Sequence, residues 1–71
     1  MKGIEFVRKI RKAGRKRDVD VFFVARRGKG SHGTLYFGER FTIVQDVKHE
    51  LPTGTVHAML EQLGLSQKDL T

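Results

Sequence analysis

The 71-residue chain predicts an α+β fold of order α-β-β-β-α, a three-stranded antiparallel sheet with both helices packed on one face. Three observations predict it. Apolar residues recur every three or four positions near each end of the chain, as one face of a helix requires. Between those stretches stand three short runs rich in β-branched and aromatic residues. Glycines punctuate the boundaries. The length predicts one small domain over residues 1–71, which buries only about 60 % of the surface its unfolded chain exposes.

Each element follows in order. Lys2 to Ala13 reads as a helix whose apolar stripe is Ile4, Phe6, Val7, Ile10 and Ala13, with Gly14 as its stop. Arg8, Lys9, Arg11 and Lys12 fall largely off that stripe and make a cationic face. Arg15 to Asp18 reads as a basic connector, and Val19 to Arg26 as the first strand. Thr34 to Phe37 gives the second strand, Gly38-Glu39-Arg40 a hairpin turn, and Phe41 to Val44 the third strand. Period two then sorts the faces: Leu35 and Phe37 point to the core, and His32, Thr34 and Tyr36 away from it. In the loop from Gln45 to Pro52, Val47 and Leu51 are expected to anchor the chain. Pro52-Thr53-Gly54-Thr55 reads as the start of the second helix with a threonine cap, followed by Val56, Met59, Leu60 and Leu63 at helical spacing and Gly64 as the stop. Ser66 to Asp69 has the form of a capping box with aspartate in place of glutamate, a last turn that would dock Leu65 and Leu70. This order of elements is that of double-stranded-RNA-binding domains.

Charge is distributed unevenly. Residues 1–31 carry 11 Lys and Arg against 3 acids, a net of +8, whereas residues 32–71 carry 3 against 5, a net of −2. A chain this basic at one end points to a polyanion, nucleic acid first. A solvated, solubilising face is the plainer account of the same charge. The chain has no cysteine, so no disulfide or thiolate metal site holds it together, a composition that fits the cytoplasm. The amino-terminal residues show neither a secretory signal nor a spanning segment, and the apolar stripe of the first helix is needed for the core rather than for lipid, so no membrane partner is expected.

The stretch with most chemistry is Arg26-Arg27-Gly28-Lys29-Gly30-Ser31-His32-Gly33, between the first two strands. Its glycines allow positive φ and close approach of backbone to a ligand. Arg26, Arg27, Lys29, Gly30 and Ser31 are the candidate phosphate-binding residues, and His32 brings the side chain whose ordinary pKa lies nearest neutrality. An ordinary surface loop entering a strand has the same composition. Gly28, Gly30 and Gly33 match the spacing of a dinucleotide fingerprint, but that motif opens a helix and here a strand follows. The phosphate loop of nucleotide hydrolases requires Ser or Thr directly after Gly-Lys, and Gly30 follows Lys29. His49-Glu50 lacks the second histidine of a metalloprotease helix. Asp46, His49 and His57 are fixed together by no pattern, so His49 reads as a solvated loop residue, His57 as a helix-surface residue, and no metal or other cofactor is expected.

One histidine among cations suits one reaction. RNA carries its own nucleophile in the 2′-hydroxyl, so a ribonuclease needs a base for that proton and donors for the charge that develops at phosphorus.

The run Arg27 to Gly33 with Leu35-Tyr36-Phe37-Gly38, then Lys48-His49-Glu50-Leu51-Pro52-Thr53-Gly54-Thr55-Val56 and Ala58 to Leu65, resembles the HicA toxins of prokaryotic toxin–antitoxin pairs. The resemblance covers nearly the whole chain, and its most specific parts are the Gly-Ser-His step and the Thr-Gly-Thr helix start leading to Leu-Gly-Leu. It implies a double-stranded-RNA-binding-like fold, metal-independent cleavage of mRNA that stops translation, a catalytic His32, and a HicB-type antitoxin as partner. Two departures stand out: the connector Arg15 to Asp20 is longer than in many HicA chains, and Gln45 to His49 replaces the Pro-x-His often seen after the third strand. The alternative is a non-catalytic RNA-binding module that holds RNA by shape and phosphate. A DNA-binding repressor is disfavoured by the lack of a helix-turn-helix pattern.

Overall fold

The computed structural model describes residues 1–28 and 32–70. Helix α1 spans Gly3–Arg17, strand β1 Val21–Ala25, β2 Gly33–Phe37, β3 Arg40–Val44 and helix α2 Thr53–Leu63, followed by one 3₁₀ turn at Gln67–Leu70. The sheet order is β1-β2-β3, and both pairings are antiparallel. The α-β-β-β-α order expected from the sequence is the order observed. Buried side chains of both helices meet the same face of the sheet.

Helix α1 runs a full turn beyond the expected stop. Gly14 lies inside the helix and is buried, so it does not end it. A Cβ on Gly14 would fall 2.8 Å from the Val19 carbonyl oxygen and closer still to Val21 Cγ2. Glycine is therefore needed at position 14 for close approach of helix to strand. The residues expected as a connector, Arg15-Lys16-Arg17, form the last helical turn, where cations meet the negative end of the helix dipole. Asp18 ends the helix in the left-handed region, φ 57°, and the Val19 N–H bonds to the Gly14 carbonyl at 2.8 Å. The first strand accordingly begins at Val21 instead of Val19.

The buried stripe of α1 is Gly3, Phe6, Val7, Ile10, Ala13 and Gly14. Ile4, expected on that stripe, is 41 % exposed. Gly3 takes the inward place because the loop after β3 crosses the helix start there: a Cβ on Gly3 would lie 2.6 Å from Val47 Cα. That loop also supplies the missing cap. The Gly3 and Ile4 N–H groups donate to the carbonyls of His49 (3.2 Å) and Val47 (2.8 Å), which satisfies donors that a helix start otherwise leaves unpaired. An ion pair of 2.9 Å from the Met1 ammonium to Glu50 reinforces the seam.

Gly38 opens the two-residue turn of the β2–β3 hairpin with φ 61°, a conformation that favours glycine at the first central position. The register pairs Phe37 with Arg40 and Leu35 with Thr42, and, on the other side, Leu35 with Phe23. Leu35, Phe37, Thr42 and Val44 are the buried face, packed with Phe6, Ile10, Val56, Met59, Leu60 and Leu63. Each large apolar side chain so buried contributes about 1.5–3 kcal/mol. Thr42 is the one buried polar residue among those described, and its Oγ1 donates to Gln62 Oε1 of α2, so the hydroxyl is not stranded in the core.

Helix α2 starts without the expected threonine cap. Pro52 occupies the cap position, Thr53 is already helical, and no side chain bonds the first turn. Gly64 ends α2 as expected, with φ 73°; its N–H and that of Leu65 bond the carbonyls of Glu61 (3.1 Å) and Leu60 (2.8 Å). The expected final turn is present. The Asp69 carboxylate accepts from the Ser66 N–H at 2.7 Å and from its hydroxyl at 3.2 Å, and it also pairs with Arg17. Leu65 and Leu70 are buried beneath this turn, and Val47 and Leu51 pack on the core as expected.

Candidate functional site

The helices cover one face of the sheet and leave the other open. On the open face the strands align three rows of side chains. Phe22, Tyr36 and Phe41 are paired across the three strands, as are Val24, Thr34 and Ile43. The next row begins where the Arg26 N–H donates to the His32 carbonyl at 2.9 Å, one step beyond the last paired residues. Continued by the same step, the register would bring Gln45 opposite His32. Alternation therefore sets Arg26 and His32 on the open face with the two apolar rows, whereas Gln45, past the end of β3, borders a cleft with Thr55, Ala58 and Met59 of α2.

His32 thus stands on the face opposite Leu35 and Phe37, as its parity in the sequence predicts. Its exposure is intermediate, neither buried in the core nor fully in solvent. Arg26 and Arg27 are exposed, and neither forms an ion pair among the described residues. Gly28 has φ 76°, and among the described residues nothing stands within 4 Å of where a Cβ would be, so it serves the turn conformation. Of the sequence-predicted site residues, Lys29, Gly30 and Ser31 lie outside the described residues.

Gly33 has a different task from the one its loop position suggested. It is a buried strand residue, and a Cβ there would fall 2.7 Å from Phe23 Cε1 and 2.9 Å from the Val24 carbonyl oxygen. The Phe23 ring fills that space and supports the end of the sheet directly beside His32. Gly33 therefore acts by packing and not by cradling a ligand.

The other two histidines have separate partners. The loop after β3 folds on Asp46, whose Oδ1 accepts the backbone N–H groups of Lys48 (2.9 Å) and His49 (3.2 Å) while Oδ2 lies 2.6 Å from His49 Nδ1. These contacts, the Lys48 N–H foremost, hold the Asp46 carboxyl below its ordinary range. His49 is exposed and is oriented by Asp46, a partner the sequence reading did not assign. His57, on α2, lies 3.0 Å from Gln67 through its Nε2. Among the described residues no group of three or more His, Cys, Asp or Glu is arranged to hold a metal ion. No described helix is long and apolar enough to cross a membrane.

The sequence reading did not single out the open aromatic face. Part of its signal was present: Phe41 and Ile43 share a parity, and the two-residue turn at Gly38 puts them on the side of Tyr36, whereas Phe22 and Val24 reach that side only through the pairing of β1 with β2. Tyr36 and Phe41 form a tilted ring pair with centroids 6.0 Å apart.

Comparison of the chain with protein-family models, with curated proteins and with solved structures gives no match in any of the three. The likeness to HicA toxins rests on the residues quoted above.

Proposed function

We propose that this protein is a metal-independent endoribonuclease of the HicA toxin kind, with His32 as the catalytic group. The observation that carries the reading is the placement of His32: partly exposed, on the helix-free face of the sheet, paired with Arg26 and at the end of the basic glycine-rich stretch. In the reaction, His32 takes the proton of an RNA 2′-hydroxyl. The 2′-oxygen attacks the adjacent phosphorus, the bond to the 5′-oxygen of the next nucleotide breaks, and that oxygen leaves with a proton. The products are a 2′,3′-cyclic phosphate and a free 5′-hydroxyl. Arg26, Arg27 and Lys29 neutralise the charge that builds on the phosphoryl oxygens. Cleavage of mRNA would stop translation in the cytoplasm, and a HicB-type antitoxin would silence the toxin by covering the face that carries His32.

The test is His32→Ala, assayed for cleavage of RNA in the presence of chelator, with circular dichroism as the check on folding. A general acid or base contributes roughly 10²–10⁴ in rate, and the variant is expected to lose at least 10². His57→Ala, on a helix surface and engaged with Gln67, retains activity. If a folded His32→Ala protein cuts RNA as fast as the wild type, or if the wild type binds RNA without cutting it, the non-catalytic RNA-binding module takes the place of the enzyme.

A further inference from the structure

We infer that the helix-free face of the sheet is a stacking platform for single-stranded RNA, with unpaired bases on Phe22, Tyr36 and Phe41 and the phosphate backbone leading to Arg26 and Arg27. This rests on the reading of His32 as the catalytic group and names the form of RNA that reaches it.

Exposure is the first argument. Phe22 is 60 % exposed, Phe41 55 % and Val24 55 %, and Ile43 and Tyr36 are exposed beside them. Five apolar or aromatic side chains in two adjacent rows make a contiguous patch of the kind that marks a binding surface. The core does not explain them, because the helices pack on the opposite face.

Charge favours RNA as the occupant. The three rows contain one formally charged residue, Arg26, and no carboxylate, and Arg27 follows it into the loop. The acids Asp20 and Glu39 lie beyond the aromatic row, at the hairpin end. Arg40 stands at that end too, so what the open face offers a polyanion beside His32 is the exposed pair Arg26 and Arg27 at the loop end. Rows two residues apart along a strand are about 6.5 Å apart, so the aromatic row lies about 13 Å from His32, within reach of a strand whose bases occupy the rings.

Geometry favours unpaired bases. Strands lie about 4.8 Å apart, so the Phe22–Tyr36–Phe41 row spans about 10 Å of flat aromatic surface. Aromatic sheet faces hold two or three splayed bases by stacking, and every base has a π-face to offer. In a duplex those faces are already stacked on one another. The element order alone suggested duplex recognition; the open aromatic face selects single strands.

The experiment measures binding of an eight-nucleotide 2′-O-methyl RNA, which lacks the nucleophilic hydroxyl and cannot be cut by this route, by fluorescence anisotropy. Phe22→Leu and Phe41→Leu keep an apolar side chain and remove the ring; Phe22→Tyr and Phe41→Tyr keep the ring. Each leucine variant is expected to bind the single strand roughly 5- to 150-fold more weakly, the range for loss of one stacked base, while the tyrosine variants bind like the wild type. The slope of log affinity against log salt should not change in the leucine variants, because no phosphate contact is lost, but should fall by about 0.7 in Arg27→Ala. A duplex of the same sequence should bind more weakly than the single strand. Leucine variants that bind the single strand as the wild type does overturn the platform, and the same outcome with lost binding of a protein inhibitor would make the face a protein-docking surface. Cleavage is scored separately on ordinary RNA: leucine variants with wild-type binding and wild-type cleavage refute stacking and leave the enzyme standing. Ring-dependent binding with no cleavage by the wild type refutes the enzyme and leaves stacking.

Discussion

Replacing Gly14 with alanine sets two effects of known sign against each other. In an exposed helix interior the change would stabilise by about 0.8–1.0 kcal/mol, because alanine loses less backbone entropy than glycine. At Gly14 the added Cβ meets Val21 Cγ2 at less than 3.0 Å and the Val19 carbonyl oxygen at 2.8 Å. Val21 is a β-branched strand residue with few rotamers to offer, and the Val19 oxygen belongs to the backbone. Neither yields without moving strand against helix, and overpacking of that kind costs about 1–3 kcal/mol. The clash wins, with a net destabilisation of about 1 kcal/mol. Gly54 provides the internal comparison, since it lies in the first turn of α2 with nothing within 4 Å of its absent Cβ. Gly54→Ala should stabilise by up to about 1 kcal/mol. Urea unfolding followed by circular dichroism reads both, and in a domain of this size 1 kcal/mol moves Tm by about 4–8 °C. Opposite signs are the expected result. If Gly14→Ala stabilises as much as Gly54→Ala, the helix does not pack against β1 at that point and the extension to Arg17 loses its explanation.

Phe6, fully buried in the first turn of α1, should cost about 3–5 kcal/mol when replaced by alanine, measured as the loss of unfolding free energy in urea; a cost under 1 kcal/mol would mean the core can close over the cavity. Acid should weaken the junction of the last turn with α1. The Ser66 N–H above all, and Arg17, hold the Asp69 carboxyl below its ordinary value. Its pKa is therefore lower folded than unfolded, so its contribution is complete above about pH 4 and disappears as pH falls through the folded value. Asp69→Asn should flatten the decline of the urea midpoint between pH 5 and pH 2, and an unaltered decline would assign that dependence to other carboxylates.

Much of this protein was legible in its sequence because the information is local. Spacings of three and four around Phe6 and Leu60 specify helices, alternation around Leu35 specifies a strand with one buried face, and Gly38 and Gly64 mark a turn and a helix end. Parity alone put His32 opposite the core. The basic residues concentrated before position 32 were equally plain. What the tertiary structure decided depends on contacts between residues far apart in the chain. Gly14 looked like a helix stop, and only the position of β1 shows that it is a packing contact, with the helix ending four residues later at Asp18. Gly33 looked like part of a ligand loop until the Phe23 ring was found over it. The start of α1 has no side-chain cap in its own sequence because its donors are met by carbonyls from residues 47 and 49. Most of all, the open face exists only through register: Phe22, Tyr36 and Phe41 are 14 and 5 positions apart in sequence, and strand pairing alone sets their rings in one row, with His32 two rows away.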